Sequence, residues 1–152
     1  RVDRVRSDTG SISVKNVAGD PVLQTSTGSI TASGVDGTVT AASSTGSITV
    51  TDVGAVDSLT TRTGSILAEI SETEGDAPIV VRTSTGSIRA YVNSNLALTI
   101  SAETDTGSIT VGGDLDLTLL GYTNDGFEAT LNGGGPVLYL KTSTGSITID
   151  RL

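Results

Sequence analysis

The chain has 152 residues, enough for one domain with its own core, and carries a formal net charge of −8 at pH 7. It contains neither Cys nor His, which excludes disulfides, thiolate and imidazole metal sites, and catalytic triads that use a histidine base. The acidic balance argues against nucleic acid as a partner, and no apolar run is long enough for direct membrane insertion.

The chain starts in an alternating strand pattern over residues 1–6 and stops just after another strand pattern, at residues 150–152. We therefore interpret residues 1–152 as a single repeat domain cut from a longer protein. No targeting segment occurs in this sequence.

One tetrapeptide, Thr-Gly-Ser-Ile, dominates the sequence between these ends. Its seven copies recur at glycine spacings of 18, 18, 18, 22, 21 and 38 residues. The last gap is about two periods, which predicts a degenerate eighth unit with Asp125 at the glycine position and Phe127 at the isoleucine position. The glycines of the seven intact copies are Gly10, Gly28, Gly46, Gly64, Gly86, Gly107 and Gly145, and the isoleucines are Ile12, Ile30, Ile48, Ile66, Ile88, Ile109 and Ile147.

The residues around each copy predict strands. They are rich in Thr, Ser, Val and Ile and alternate apolar with polar residues on both sides of the glycine. The inward phase changes at Thr-Gly, which indicates a corner, and a second corner follows near Val17, Val35 and Val53. Short strands, tight corners and a period of 18–22 residues predict an all-β, single-domain β-solenoid (β-helix) of about eight coils. A motif present in every coil is typical of a structural element.

The repeated Thr-Gly-Ser-Ile with its Val- and Thr-rich flanks resembles a bacterial family of adhesin-like β-strand-repeat domains of unknown function. The resemblance extends from Val5 to Ile149. It implies a right-handed β-helix at the cell envelope or in the extracellular space. It brings no catalytic residues and no cofactor.

Calcium is one candidate ligand. An acidic insertion between the fourth and fifth units carries Glu69, Glu72, Glu74 and Asp76, and hard cations bind where several carboxylate oxygens converge. The segment matches neither an EF-hand loop nor a calcium-binding nonapeptide repeat. A solvated acidic loop that keeps the domain soluble is the competing interpretation.

Ice binding is a second candidate, because regular outward arrays of threonine occur on β-solenoid antifreeze proteins. Strand parity directs pairs such as Thr25 and Thr27 inward or into the corner. The outward positions after the glycine form a better array, which Leu67 and Arg89 interrupt. Its threonines are Thr31, Thr49, Thr110 and Thr148.

Carbohydrate binding is a third candidate, because Tyr91 and Tyr139 point outward by parity and offer sugar-stacking surface. A polysaccharide-active enzyme is less favoured, since the loops are short and no carboxylate pair stands out. Arg62, Arg82 and Arg89 lie on neighbouring units and suggest a small positive spot.

These observations predict a non-catalytic envelope or surface module, an adhesin or a protein-interaction scaffold. The expected partner is a protein or a surface polysaccharide. Open strand edges at the ends of the stack also predict end-to-end self-association.

Overall fold

The computed structural model describes residues 4–72, 77–112, 115, 117–122 and 126–152. Over these ranges the chain forms fourteen strands and no helix, so that none of its described elements is a membrane-spanning helix. The strands are β1 Arg4–Thr9, β2 Ile12–Val17, β3 Val22–Thr27, β4 Ile30–Thr45, β5 Ile48–Thr63, β6 Ile66–Ile70, β7 Ile79–Thr85, β8 Ile88–Val92, β9 Leu98–Thr106, β10 Ile109–Val111, β11 Leu117–Tyr122, β12 Gly126–Leu131, β13 Val137–Thr144 and β14 Ile147–Arg151.

All fourteen strands belong to one sheet, which curls into an open half-barrel. The prediction of an all-β fold is confirmed. Strands that precede a Thr-Gly-Ser-Ile corner pair with one another, and we call them the leading ladder: β1, β3, the second halves of β4 and β5, then β7, β13 and β9. Strands that follow a corner form the trailing ladder: β2, the first halves of β4 and β5, then β6, β8, β14 and β10.

Pairing within both ladders is parallel and in register, so equivalent residues of successive units lie side by side. Thr27 pairs with Thr45 in the leading ladder, and Ile30 pairs with Ile48 in the trailing ladder. The corner continues the register, because the Gly28 N–H donates to the Thr45 carbonyl oxygen at 2.8 Å. The repeat in the sequence thus becomes a repeat in space.

The corner requires glycine for two reasons. Gly46 has a φ of +139°, in a region that residues with a side chain rarely adopt. A Cβ on Gly46 would also be placed onto the carbonyl oxygen of Gly28 in the unit before it. Gly10, in the first unit that the structure describes, has a φ of +125°, and a Cβ there would meet only the Ser7 hydroxyl among the described residues, at 3.7 Å.

The order of the units in space corrects the sequence-based expectation that each unit stacks on the one before it. This holds through the first five corners. The last unit of the chain then inserts, because β13 pairs with β7 on one side and with β9 on the other. Gly145 accordingly lies between Gly86 and Gly107.

The predicted eighth unit is wrong. Asp125 lies outside the described residues, and Phe127 belongs to β12, which pairs antiparallel with β9 and with β11. The alternation around Phe127 comes from the antiparallel hairpin of β11 and β12, not from a trailing strand. In this hairpin β12 covers the outer edge of β9. A period of two identifies a strand, but it carries no information about strand direction.

The core consists of the inward side chains of both ladders. Six of the seven corner isoleucines are at most 5% exposed, whereas Ile109, in the outermost trailing strand, is half-buried. Burying one such side chain contributes about 1.5–3 kcal/mol. The interpretation of residues 1–152 as a single domain remains a prediction.

Two glycine-to-alanine variants separate the φ requirement from the stacking requirement. Gly10→Ala imposes only backbone strain and should lower the free energy of unfolding by about 1–3 kcal/mol. Gly46→Ala adds a clash with the backbone of the neighbouring unit and should cost about 4 kcal/mol or more. Urea unfolding followed by circular dichroism measures both, and equal losses would contradict the stacking argument.

Candidate functional site

The Thr-Gly-Ser-Ile corners form a continuous line along one side of the sheet. Each corner places a threonine before the glycine and a serine after it, and every one of these side chains is exposed. We call these two rows the TGSI ridge. In spatial order its threonines are Thr9, Thr27, Thr45, Thr63, Thr85, Thr144 and Thr106, and its serines are Ser11, Ser29, Ser47, Ser65, Ser87, Ser146 and Ser108.

The ridge threonines are direct neighbours across the ladder, as Thr45 and Thr63 illustrate. Adjacent parallel strands are about 4.8 Å apart, so each row repeats a hydroxyl at that interval. The serine row is held equally well, because the Ile48 N–H donates to the Ser65 carbonyl oxygen at 3.0 Å. The ridge is therefore a regular array of neutral hydroxyl groups on a protein of net charge −8.

An inner row of hydroxyls holds the corners together. The Thr61 hydroxyl donates to the Gly46 carbonyl oxygen at 3.0 Å, and Thr61 is only 2% exposed. The same bond, from a unit to the glycine of its neighbour, recurs at six corners. The donors are Thr25, Ser43, Thr61, Thr83, Thr142 and Thr104, at 3.0–3.2 Å.

The two threonine rows thus have different roles. Parity alone directed Thr25 and Thr27 alike toward the interior or the corner, whereas the structure buries Thr25 and exposes Thr27. The reversal of direction at the glycine turns the residue next to it outward. Hydroxyls both donate and accept hydrogen bonds, so the exposed row can bind a polar ligand.

The serine-threonine array predicted on the trailing ladder also faces outward, with half-buried Thr31 and Thr49 side by side. Leu67 and Arg89 follow in the same line. This face is therefore interrupted, whereas the TGSI ridge has a threonine and a serine in every unit.

Of the predicted calcium ligands, Glu69 is half-buried in β6 beside Tyr91, and Glu72 is exposed just after this strand. Glu74 and Asp76 lie outside the described residues. Within the ranges that the structure describes, no three acidic side chains gather around a common point. Calcium binding stays a prediction.

The aromatic candidates lie apart, whereas two of the three basic candidates are on neighbouring strands. Tyr91 is in the trailing ladder, and Tyr139 is in the leading ladder, where its hydroxyl donates to Glu103 Oε2 at 3.3 Å. Arg62 and Arg82 are exposed on β5 and β7, which pair in the leading ladder, and Arg89 is in the trailing ladder.

Sequence reasoning missed a groove at the far end of the sheet. A cavity of about 650 Å³ lies between β10 and the β11–β12 hairpin, and seven of its eleven lining residues have apolar side chains. The alternation of Leu115, Leu117 and Leu119 before a stretch without the repeated motif was the available signal. The lining residues are Thr104, Gly107, Ser108, Ile109, Val111, Leu115, Leu117, Leu119, Gly126, Phe127 and Ala129.

The inner hydroxyl row supports the fold, which a matched pair of variants tests. Thr61→Val keeps the shape of the side chain but leaves the Gly46 carbonyl without its hydroxyl donor, so unfolding should become easier by about 1–3 kcal/mol. Thr63→Val, in the exposed row of the same corner, should change stability by less than about 0.5 kcal/mol. Chemical denaturation of both proteins makes the comparison, and a larger loss for Thr63→Val would refute the assignment.

The calcium hypothesis has its own test in thermal melts with EDTA and with excess calcium. A site formed around Glu69 and Glu72 should raise the unfolding temperature on calcium addition, because binding to the folded state stabilises it. Glu72→Gln should reduce that shift, and Glu128→Gln, a remote exposed carboxylate, should leave it unchanged. Identical melts in EDTA and in calcium would exclude the site.

No family model matches the chain, and no curated protein matches it. One solved structure is similar, described as a "putative cell adhesion protein" from Clostridium sporogenes. The two chains share 12% sequence identity with a TM-score of 0.54, and the alignment covers 91% of this chain. This chain spans 57% of the length of the Clostridium chain. At that identity the similarity concerns the fold.

Proposed function

We propose that this chain is a non-catalytic, adhesin-like module of the cell surface or envelope whose TGSI ridge binds a surface polysaccharide. The single observation that carries the proposal is the exposed threonine and serine at every one of the seven corners. A repeating ligand meets a repeating array, and many weak contacts then add up to useful affinity.

The proposal includes the β-solenoid architecture, with each unit forming one coil. In-register pairing on both sides of each corner and the stacking of glycine on glycine support it. In a solenoid the ridge is straight and rigid, so its hydroxyls are positioned before the ligand arrives. Such preorganisation reduces the entropy lost on binding.

The chemistry of the ridge favours binding over catalysis. Its side chains are hydroxyls, and a hydroxyl nucleophile needs an adjacent base to be activated. Asp8 and Asp105 are the carboxylates two residues before the corner glycines, and both belong to the outermost units. Surface localisation is supported by the similar fold of the Clostridium chain, which is described as a "putative cell adhesion protein".

A triple variant tests the ridge. Thr27→Gln, Thr45→Gln and Thr63→Gln together place longer side chains over three adjacent corners and should abolish binding to a panel of bacterial surface polysaccharides. The matched control is Ala42→Gln with Thr60→Gln, which extends native Gln24 into a glutamine row on the outer face of the leading ladder. Surface plasmon resonance compares the two with the parent protein. Loss of binding in both variants, or in neither, would contradict the proposal.

Ice binding is the second candidate, and the same row of directly paired threonines favours it. A row repeating at about 4.8 Å can order water in place of sugar hydroxyls. If the parent protein shows thermal hysteresis and the ridge triple variant does not, the ligand of the ridge is ice and not a polysaccharide. Hysteresis that persists in the triple variant would place the ice-binding surface elsewhere.

A further inference from the structure

The trailing ladder ends at β10, which pairs with β14 on one side and with no described strand on the other. At the corners before it, each unit donates two backbone N–H groups to the next unit, as Gly145 does to Thr106 O at 2.9 Å and Ile147 to Ser108 O at 2.8 Å. Gly107 and Ile109 occupy the same positions in the outermost unit. No hydrogen bond from either N–H to another described residue is present.

Apolar burial at this edge is also incomplete. Ile147 and Ile149 in β14 are 0% exposed, whereas their neighbours Ile109 and Val111 in β10 are only half-buried. Ile109 and Val111 line the 650 Å³ cavity together with Leu117. Unpaired donors beside an apolar groove are what an added strand would satisfy.

A whole unit cannot stack on this end of the sheet. A complete unit would need to pair with β9 as well, but β12 already pairs with β9 from Leu98 to Glu103. End-to-end stacking of a second copy through its first unit is therefore blocked on the leading side. An extended segment that pairs with β10 alone is not blocked.

The charge of this end selects the occupant. Between residues 93 and 140 the charged side chains that the structure describes are Glu103, Asp105 and Glu128. Glu103 pairs with Lys141, and the exposed Asp105 and Glu128 favour a cationic ligand over an anionic one.

We propose that the β10 edge binds an extended peptide segment of a partner protein by parallel strand addition. The segment accepts hydrogen bonds from the N–H groups of Gly107 and Ile109, places apolar side chains into the groove at alternate positions, and carries at least one cationic residue. This site is separate from the TGSI ridge, and it does not depend on what the ridge binds.

The chain itself supplies a suitable probe. Residues 9–15, Thr-Gly-Ser-Ile-Ser-Val-Lys, have the register of a neighbouring unit and end in a lysine. The peptide, labelled at its N-terminus and amidated at its C-terminus, should bind the full chain saturably in fluorescence anisotropy. A peptide with aspartate at the positions of Ile12 and Val14 should not bind.

Two adjacent leucines provide the matched variants. Leu119 is 59% exposed and lines the groove, whereas Leu120 is 58% exposed and does not line it. Leu119→Arg should weaken binding of the peptide about tenfold, because it replaces an apolar contact by a charge that repels the lysine. Leu120→Arg brings the same charge to β11 and should keep the parent affinity. Circular dichroism checks that both variants are folded.

Hydrogen exchange supplies an independent readout. Addition of the peptide should slow exchange of the Gly107 and Ile109 amides and leave the already paired amides of Gly145 and Ile147 unchanged. Absence of saturable binding, equal effects of Leu119→Arg and Leu120→Arg, or unchanged exchange at Gly107 and Ile109 would overturn the proposal. So would a dimer in sedimentation velocity that Leu119→Arg abolishes, because the occupant would then be a second copy of this chain.

Discussion

The contact of a corner glycine with the backbone of the adjacent unit, which every corner glycine except Gly10 makes, is the constraint on which the rest of the structure depends. Because a Cβ would overlap the carbonyl oxygen of that unit, only glycine allows two corners to approach to strand spacing. The glycine N–H and the inner hydroxyl row then fix the approach with two hydrogen bonds per corner, such as Gly46 N–H to Thr63 O and Thr61 to Gly46 O. The exposed hydroxyls of the ridge are evenly spaced as a consequence of this backbone packing.

Identical corners have a second consequence, since any unit can in principle stack on any other. The insertion of the last unit between Gly86 and Gly107 follows from this equivalence, and the order must be set by contacts that do not repeat. Asn132 supplies two of them, because its side-chain amide donates to Ser94 O and Leu96 O at 2.8 Å each and joins the segments that precede β9 and β13. The Lys141–Glu103 ion pair, at 3.4 Å and partly exposed, joins the same two strands and contributes about 1 kcal/mol at most.

The sequence predicts the features that repeat in every unit and does not predict those that depend on contacts which do not repeat. The alternation of residues such as Ile48 and Val50 reports which side chains face inward, and a glycine between two phases of alternation reports a corner; the all-β fold follows from both. Alternation does not report which strand pairs with which, or in what direction. The sequence therefore predicts a parallel unit at β12, whereas the structure pairs β12 antiparallel with β9. The outward direction of Thr27 is not predictable for a related reason, because it depends on neighbours in space that periodicity does not name. The sequence predicts open edges at the ends of the stack, but it does not predict that β10 forms one of them, because the last unit inserts before it.

The hairpin accounts for the difference between the two proposed surfaces. A parallel stack of identical corners has no internal reason to end, and an uncovered edge pairs readily with other chains. β12 covers the leading edge because an antiparallel strand does not reproduce the corner on which another unit would stack. The trailing edge beside it stays open, since β10 has only β14 as a pairing partner among the described strands. If both proposals hold, affinity at the ridge would grow with the number of units, whereas specificity at the β10 groove would come from the end of the stack where the hairpin covers one ladder and leaves the other uncovered.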